Sequence, residues 1–127
     1  MSLVVWVIGG LVLGALFLRF ATAGGAGRER RVLAVGLVVA AAVYVVFALV
    51  AGSGPWLVLE LGGVLVFAVP AYAGLRWSPL FLAAGWGGHV LWDALLHIGG
   101  PIAGVEWYAG LCVGFDPLVA MAVAARA

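Results

Sequence analysis

Three polar residues at a regular interval interrupt an otherwise apolar stretch at residues 79–98. His89, Asp93 and His97 follow one another at steps of four residues. Residues four apart lie on the same face of an α-helix, so the three side chains form one polar stripe if this stretch is helical. Imidazole and carboxylate groups are ligands of zinc and iron, and both also act as general acids and bases. The stripe is therefore the first candidate for a chemical site.

Two further acidic residues lie in other apolar stretches, at positions that would be level with the stripe if the stretches pack as neighbouring membrane helices. Asp116 lies near the middle of an apolar stretch at residues 107–125, and Glu60 lies close to the start of the stretch at residues 56–75. A charged aspartate within hydrocarbon costs about 2.5–3.5 kcal/mol on insertion scales. Asp93 and Asp116 should therefore turn away from lipid and pair with other polar groups, and the two histidines are the partners at that depth.

The composition shows which elements must position these residues. Of the 127 residues, 67% are hydrophobic and 9% are charged. A water-soluble domain of this size must present a mostly polar surface, so this composition predicts one domain, residues 1–127, that is embedded in the lipid bilayer. Crossing the hydrocarbon takes about 20 apolar residues as a helix. The sequence predicts an all-α integral membrane protein, a bundle of five transmembrane helices at residues 3–23, 32–51, 56–75, 79–98 and 107–125.

The basic residues predict the orientation of this bundle. With five crossings, all of them fall on one side of the membrane, and the connections at residues 52–55 and 99–106 on the other side contain no Arg or Lys. Cytoplasmic loops carry the excess of positive charge, so the N-terminus should be outside and the C-terminus in the cytoplasm. This indicates a multi-pass protein of the cell membrane, of the bacterial inner-membrane type. No lysine-rich tail points to a nucleic-acid partner. The basic residues are Arg19, Arg28, Arg30, Arg31, Arg76 and Arg126.

Small residues one helical turn apart occur on the first and fifth predicted helices. Gly10 and Gly14 form one pair, and Gly110 and Gly114 form the other. This spacing lets two helix backbones approach closely, either within the bundle or in a homodimer. The single cysteine, Cys112, stands four residues before an aspartate and is either a small apolar core residue or a soft metal ligand.

One interpretation of the polar residues is a metal site that supports catalysis. Two neighbouring members of the stripe would bind one ion, and an acid from another helix would complete the ligand set. The predicted ligands are His89, Asp93, His97 and Asp116, the metal is zinc or iron, and Asp93 and Glu60 are the candidate catalytic carboxylates that would activate water beside it. This predicts a membrane enzyme with a pocket in the outer half of helices three to five, acting on a lipidic or apolar substrate.

Two other classes of function use the same residues. In a proton- or cation-coupled transporter or channel subunit, they would form a relay from the outer surface to the middle of the bilayer. In the cytoplasmic half of the predicted bundle, the sequence offers no polar groups to continue that relay except the arginines at its edge. In a non-catalytic membrane partner, the histidines and acids would be a buried hydrogen-bond network that only fixes helix packing.

Overall fold

The computed structural model describes residues 2–127, and within them the chain is all-helical. A five-residue π-helical turn, Asp93–His97, continues the fourth helix. Four of the helices are long and apolar enough to cross a membrane, whereas the fourth has 14 residues and is shorter. The five helices are α1 (Leu3–Thr22), α2 (Ala26–Ala51), α3 (Gly54–Arg76), α4 (Pro79–Trp92) and α5 (Glu106–Arg126).

The helix starts follow local sequence signals. Ser53 and Ser78 are the N-caps of α3 and α4, and their hydroxyl oxygens accept hydrogen bonds from Trp56 N and Leu80 N. A proline follows each serine in the first turn, where its missing N–H costs nothing. Helix α2 begins at residue 26 rather than 32, because arginine and glutamate are good helix formers even where hydropathy is low. Hydropathy alone marks only the apolar part of that helix.

The helices are arranged around the bundle in the order α1, α5, α4, α3, α2, and α2 also contacts α4. Helix α5 lies between α1 and α4, whereas α2 packs mainly on α3. Among the described residues, the backbones of α2 and α5 do not approach each other closely, and only side chains bridge the two helices. Helix α1 contacts α2 much less than it contacts α5. The bundle is therefore loosest where α1, α2 and α5 face one another.

The glycine pairs pack α1 against α5 within the chain. A Cβ atom at Gly10 would lie 1.9 Å from the carbonyl oxygen of Leu111, and one at Gly114 would lie 2.0 Å from that of Val7. Only glycine permits so close an approach between the two backbones. Packing within the chain thus accounts for these residues, and a homodimer would have to use another face.

The arginines gather at one end of the bundle. Arg126 at the end of α5 forms an ion pair with Glu29 at the start of α2, with 3.0 Å between the nitrogen and the oxygen. Arg30 Nε donates to the carbonyl oxygen of Gly74 near the end of α3, also at 3.0 Å. Between this end and the polar residues lies an apolar core that includes Leu33, Leu37, Leu82, Trp86 and Val119.

Candidate functional site

His89, in the last turn of α4, is the centre of a fully buried polar group. Its Nδ1 atom lies 2.7 Å from Asp116 Oδ2 on α5 and 3.1 Å from Asp93 Oδ2, one turn further along its own helix. A carboxylate accepts hydrogen bonds, so this geometry places a ring proton on Nδ1. Within residues 2–127, His89 Nε2 has no hydrogen-bond partner.

The two aspartates of this group differ in how their oxygens are used. The hydroxyl of Tyr44, a fully buried residue of α2, donates to Asp93 Oδ1 at 2.5 Å. Both oxygens of Asp93 are therefore engaged and its orientation is fixed. Asp116 Oδ1, in contrast, has no partner in the part of the chain that the structure describes. A buried carboxylate oxygen without a partner costs free energy, so such an atom calls for a functional explanation.

Four side chains are close enough to bind one metal ion. His89, Asp93, Cys112 and Asp116 each offer one ligand atom, and these atoms all lie within 4.8 Å of one another. All four side chains are buried. One nitrogen, two oxygens and one sulfur form a donor set that suits zinc and is also used by iron. We call these residues the four-ligand group.

His97 and Glu60 form a separate pair beside the four-ligand group. His97 Nε2 lies 3.0 Å and 3.3 Å from the two carboxylate oxygens of Glu60 on α3. Trp92 Nε1 also donates to Glu60 Oε1, at 3.1 Å. The ring of His97 lies flat on that of Tyr44, with 3.6 Å between the ring centroids. Tyr44 therefore stands between the pair and the four-ligand group.

The π-helical turn explains why the predicted stripe is divided. Ile98 N donates to the carbonyl oxygen of Asp93, five residues earlier, at 3.1 Å. This wider turn rotates the following residues about the helix axis, so His97 no longer shares a face with His89. His89 contacts α5, whereas His97 contacts α3. Five of the residues singled out from the sequence are thus buried, but in two separate groups. His89, Asp93 and Asp116 contact one another, whereas His97 and Glu60 form a pair outside the four-ligand group.

The sequence did not predict that Tyr44 and Cys112 lie beside the buried histidine and aspartates. Tyr44 is a phenol within an aliphatic helix, and a buried tyrosine hydroxyl needs a hydrogen-bond partner. That requirement was the available signal. The sequence allows two interpretations of Cys112, and its position four residues before Asp116 is the signal for the ligand one. Glu106 is partly exposed at the start of α5 and belongs to neither group.

An apolar cavity of about 350 Å³ borders the four-ligand group. Asp116 and Cys112 form part of its wall, together with Tyr108, whose hydroxyl donates across to the carbonyl oxygen of Ala40 at 2.9 Å. The rest of the wall is apolar and comes from α1, α2, α4 and α5. The cavity occupies the loosely packed region between α1, α2 and α5.

Comparison with known proteins gives one match. A family model described as a family of unknown function (DUF6010) matches residues 2–127, almost the whole chain. No curated protein matches the chain, and no solved structure does. A function therefore has to be argued from the site itself.

Proposed function

The chain belongs to the DUF6010 family, and we propose that it is a membrane enzyme that binds a divalent metal ion in the four-ligand group and acts on a lipidic or apolar substrate. One observation carries the proposal: four buried ligand atoms lie within 4.8 Å of one another beside an apolar cavity.

The charges of the four-ligand group favour a divalent ion. Asp93 and Asp116 are both fully buried, and every arginine lies at the other end of the bundle. Two buried carboxylates need compensation, because an unpaired charge in a medium of low dielectric is costly. A protonated His89 supplies one positive charge, whereas a divalent ion supplies two. The ion would therefore balance both aspartates with neutral His89 as a ligand, and a Cys112 thiolate in the same ligand set would leave one net negative charge.

The kinds of donor atoms favour zinc, with iron as the second choice. Histidine, cysteine and aspartate are all common zinc ligands, and a thiolate is the softest of them. Metal binding requires the deprotonated form of each ligand, so it would release the protons that now hold the group together. Tyr44 contacts Asp93 from outside the group and fixes the orientation of that carboxylate, a role typical of residues around metal ligands.

The unpaired oxygen of Asp116 is the best placed proton acceptor. A bound metal ion makes a water molecule a nucleophile near neutral pH. Asp93 uses both of its oxygens. Glu60 Oε1 accepts from Trp92 and contacts His97, and Glu60 Oε2, like Asp116 Oδ1, has no hydrogen-bond partner among the described residues. Of these two acids, however, only Asp116 lines the cavity. The Glu60–His97 pair would remain a second acid–base group at the far side of Tyr44. The prediction of Asp93 and Glu60 as catalytic carboxylates thus becomes a proposal centred on Asp116.

The proposed orientation has five crossings, with the N-terminus outside and the C-terminus in the cytoplasm of a cell membrane. Helix α4 with its π-helical turn has 19 residues, which is about 28 Å at 1.5 Å per residue and close to the thickness of the hydrocarbon. The common end of the arginines is the cytoplasmic one under the positive-inside rule. The polar site then lies from the middle of the bilayer towards the outer side.

A transporter is less well supported by the same structure. A proton or cation path would have to continue from His89 and Asp116 to the arginine end. In the described chain, the buried cluster between them is apolar, with Leu37, Leu82 and Val119 at its centre. An enzyme needs access to its site only from the side of its substrate, which the cavity supplies.

The test is the metal content of the purified protein. We expect stoichiometric zinc or iron in the wild type, its loss in Asp116→Asn, and its retention in Glu60→Gln, the matched control outside the four-ligand group. Thermal melting in detergent checks that each variant is folded. If the folded wild-type protein contains no metal after zinc and iron have been supplied, the metal proposal is wrong. These residues would then serve only as a structural hydrogen-bond network.

A further inference from the structure

The cavity beside the four-ligand group extends along α5. Its lining follows α5 from Tyr108 to Asp116, which is about 12 Å along the helix axis. The facing walls are apolar side chains that include Phe17, Val43 and Phe115. A predominantly apolar pocket with few polar groups binds an apolar molecule and uses the polar groups to orient it.

The cavity reaches the lipid-facing surface of the bundle. Leu13 of α1 and Val39 of α2 line it and are also 47% and 54% exposed. In the proposed membrane orientation, that exposed surface faces acyl chains. A ligand therefore enters sideways from the bilayer, between two helices that contact each other only weakly.

The polar part of the wall restricts the ligand further. Asp116 is 0% exposed, and its Oδ1 atom has no hydrogen-bond partner among the described residues. A carboxylate oxygen accepts hydrogen bonds and repels anions, and the apolar wall disfavours any charged group, so a neutral donor such as a hydroxyl group fits the site best. Asp116 is the eleventh of the 21 residues of α5, near mid-depth, where the large headgroup of a two-chain lipid cannot follow.

We infer that the cavity binds a single-chain, long-chain alcohol, with its chain among α1, α2 and α5 and its hydroxyl donating to Asp116 Oδ1. This inference rests on the proposed function, because it names the substrate class of the same site. The alcohol would place its hydroxyl at the edge of the four-ligand group. A metal-assisted reaction of the hydroxyl requires this position.

The experiment uses photolabelling of the purified protein in lipid nanodiscs with a long-chain alcohol that carries a diazirine in its chain. We expect labelled peptides from the cavity walls on α1, α2 and α5. Val43→Phe narrows the cavity and should reduce the labelling about tenfold or more. Val46→Phe, the same substitution at an exposed position of α2 outside the cavity, should leave it unchanged. Ala40→Leu is a second cavity variant and should also reduce it.

Competition tests the hydroxyl, and metal content separates the two proposals. The unlabelled alcohol should compete with the probe, whereas its methyl ether, which lacks the donor, should compete at least about tenfold less well. Labelling spread evenly over the lipid-facing surface, or equal competition by the ether, would overturn the inference. Metal bound without cavity labelling would remove the inference and leave the proposed function. Cavity labelling of a metal-free protein would support the alcohol site and remove the metal-dependent enzyme.

Discussion

The ring of Tyr44 lies parallel to the ring of His97, 5° from coplanar and with 3.6 Å between centroids. The hydroxyl of the same tyrosine donates to Asp93. One side chain of α2 therefore contacts both polar groups that α4 and its π-helical turn place on different faces. This contact ties the position of the Glu60–His97 pair to that of the four-ligand group.

Removal of this hydroxyl should destabilise the protein without removing the stacking. In Tyr44→Phe the ring stays on His97, but Asp93 Oδ1 loses its donor in a buried site. Hydrogen bonds to charged groups contribute about 1.5–3 kcal/mol, so we expect a loss of stability of that order in thermal or denaturant unfolding in detergent. Tyr72→Phe is the matched control, because that tyrosine is 60% exposed. Equal stability of Tyr44→Phe and the wild type would contradict the contact.

The two histidines should differ in their effect on metal binding. His89→Gln removes a member of the four-ligand group, and we expect the metal to be lost. His97→Gln changes a residue that contacts Glu60 instead, so the metal should stay even if the protein becomes less stable. Elemental analysis of both purified variants is the measurement. Loss of metal from both would mean that the π-helical turn does not separate the two side chains as described.

Replacement of the thiol should weaken metal binding and change its selectivity. Cys112→Ser exchanges a soft sulfur for a hard, weakly acidic oxygen in the four-ligand group. Loss of a residue that only orients a ligand already costs 10–100-fold in affinity, so a direct ligand should cost about tenfold or more. Competition with a zinc chelator measures this change. Unchanged zinc affinity would make Cys112 a small core residue, the other interpretation of its position.

The close packing of α1 on α5 should be intolerant of a single added methyl group. In Gly114→Ala the new Cβ would lie 2.0 Å from the carbonyl oxygen of Val7, so one helix must move. Overpacking of this kind costs about 1–3 kcal/mol. Gly62→Ala in α3 is the control, because no atom lies within 4 Å of its Cβ position, and it should be neutral or slightly stabilising. Unfolding measurements that show the same stability for both variants would argue against this interface.

The sequence was sufficient to predict the helices because long apolar runs have few alternatives. It was also sufficient to predict that Glu60, His89, Asp93, His97 and Asp116 would be buried, since exposure of ionisable groups to hydrocarbon is costly. The sequence was not sufficient to predict which of these histidines and acids contact one another. The predicted stripe assumed an unbroken α-helix, and the turn at residues 93–97 is π-helical for reasons that hydropathy and spacing do not contain.

The neutral members of the site were harder to identify for a related reason. Tyr44 and Cys112 carry no charge, so no large desolvation cost demands that they face a polar group. Their roles depend on which helices become neighbours, and that depends on packing details such as the glycine contacts between α1 and α5. The metal ligands and the catalytic carboxylates remain predictions that the metal measurements test.

The proposed orientation can be tested with two cysteines at equivalent positions. Ser53 and Ser78 are both partly exposed N-caps. Ser53 precedes α3 and Ser78 follows it, so the two serines lie at opposite ends of the bundle. With five crossings, Ser53 lies outside and Ser78 in the cytoplasm, so a membrane-impermeant thiol reagent added to intact cells should label Ser53→Cys and not Ser78→Cys. The background is Cys112→Ser, which removes the native thiol, and lysed cells are the control because both variants should then react. Labelling of Ser78→Cys alone would invert the bundle and place the polar site in the inner half of the membrane, which would exclude access from the outer leaflet.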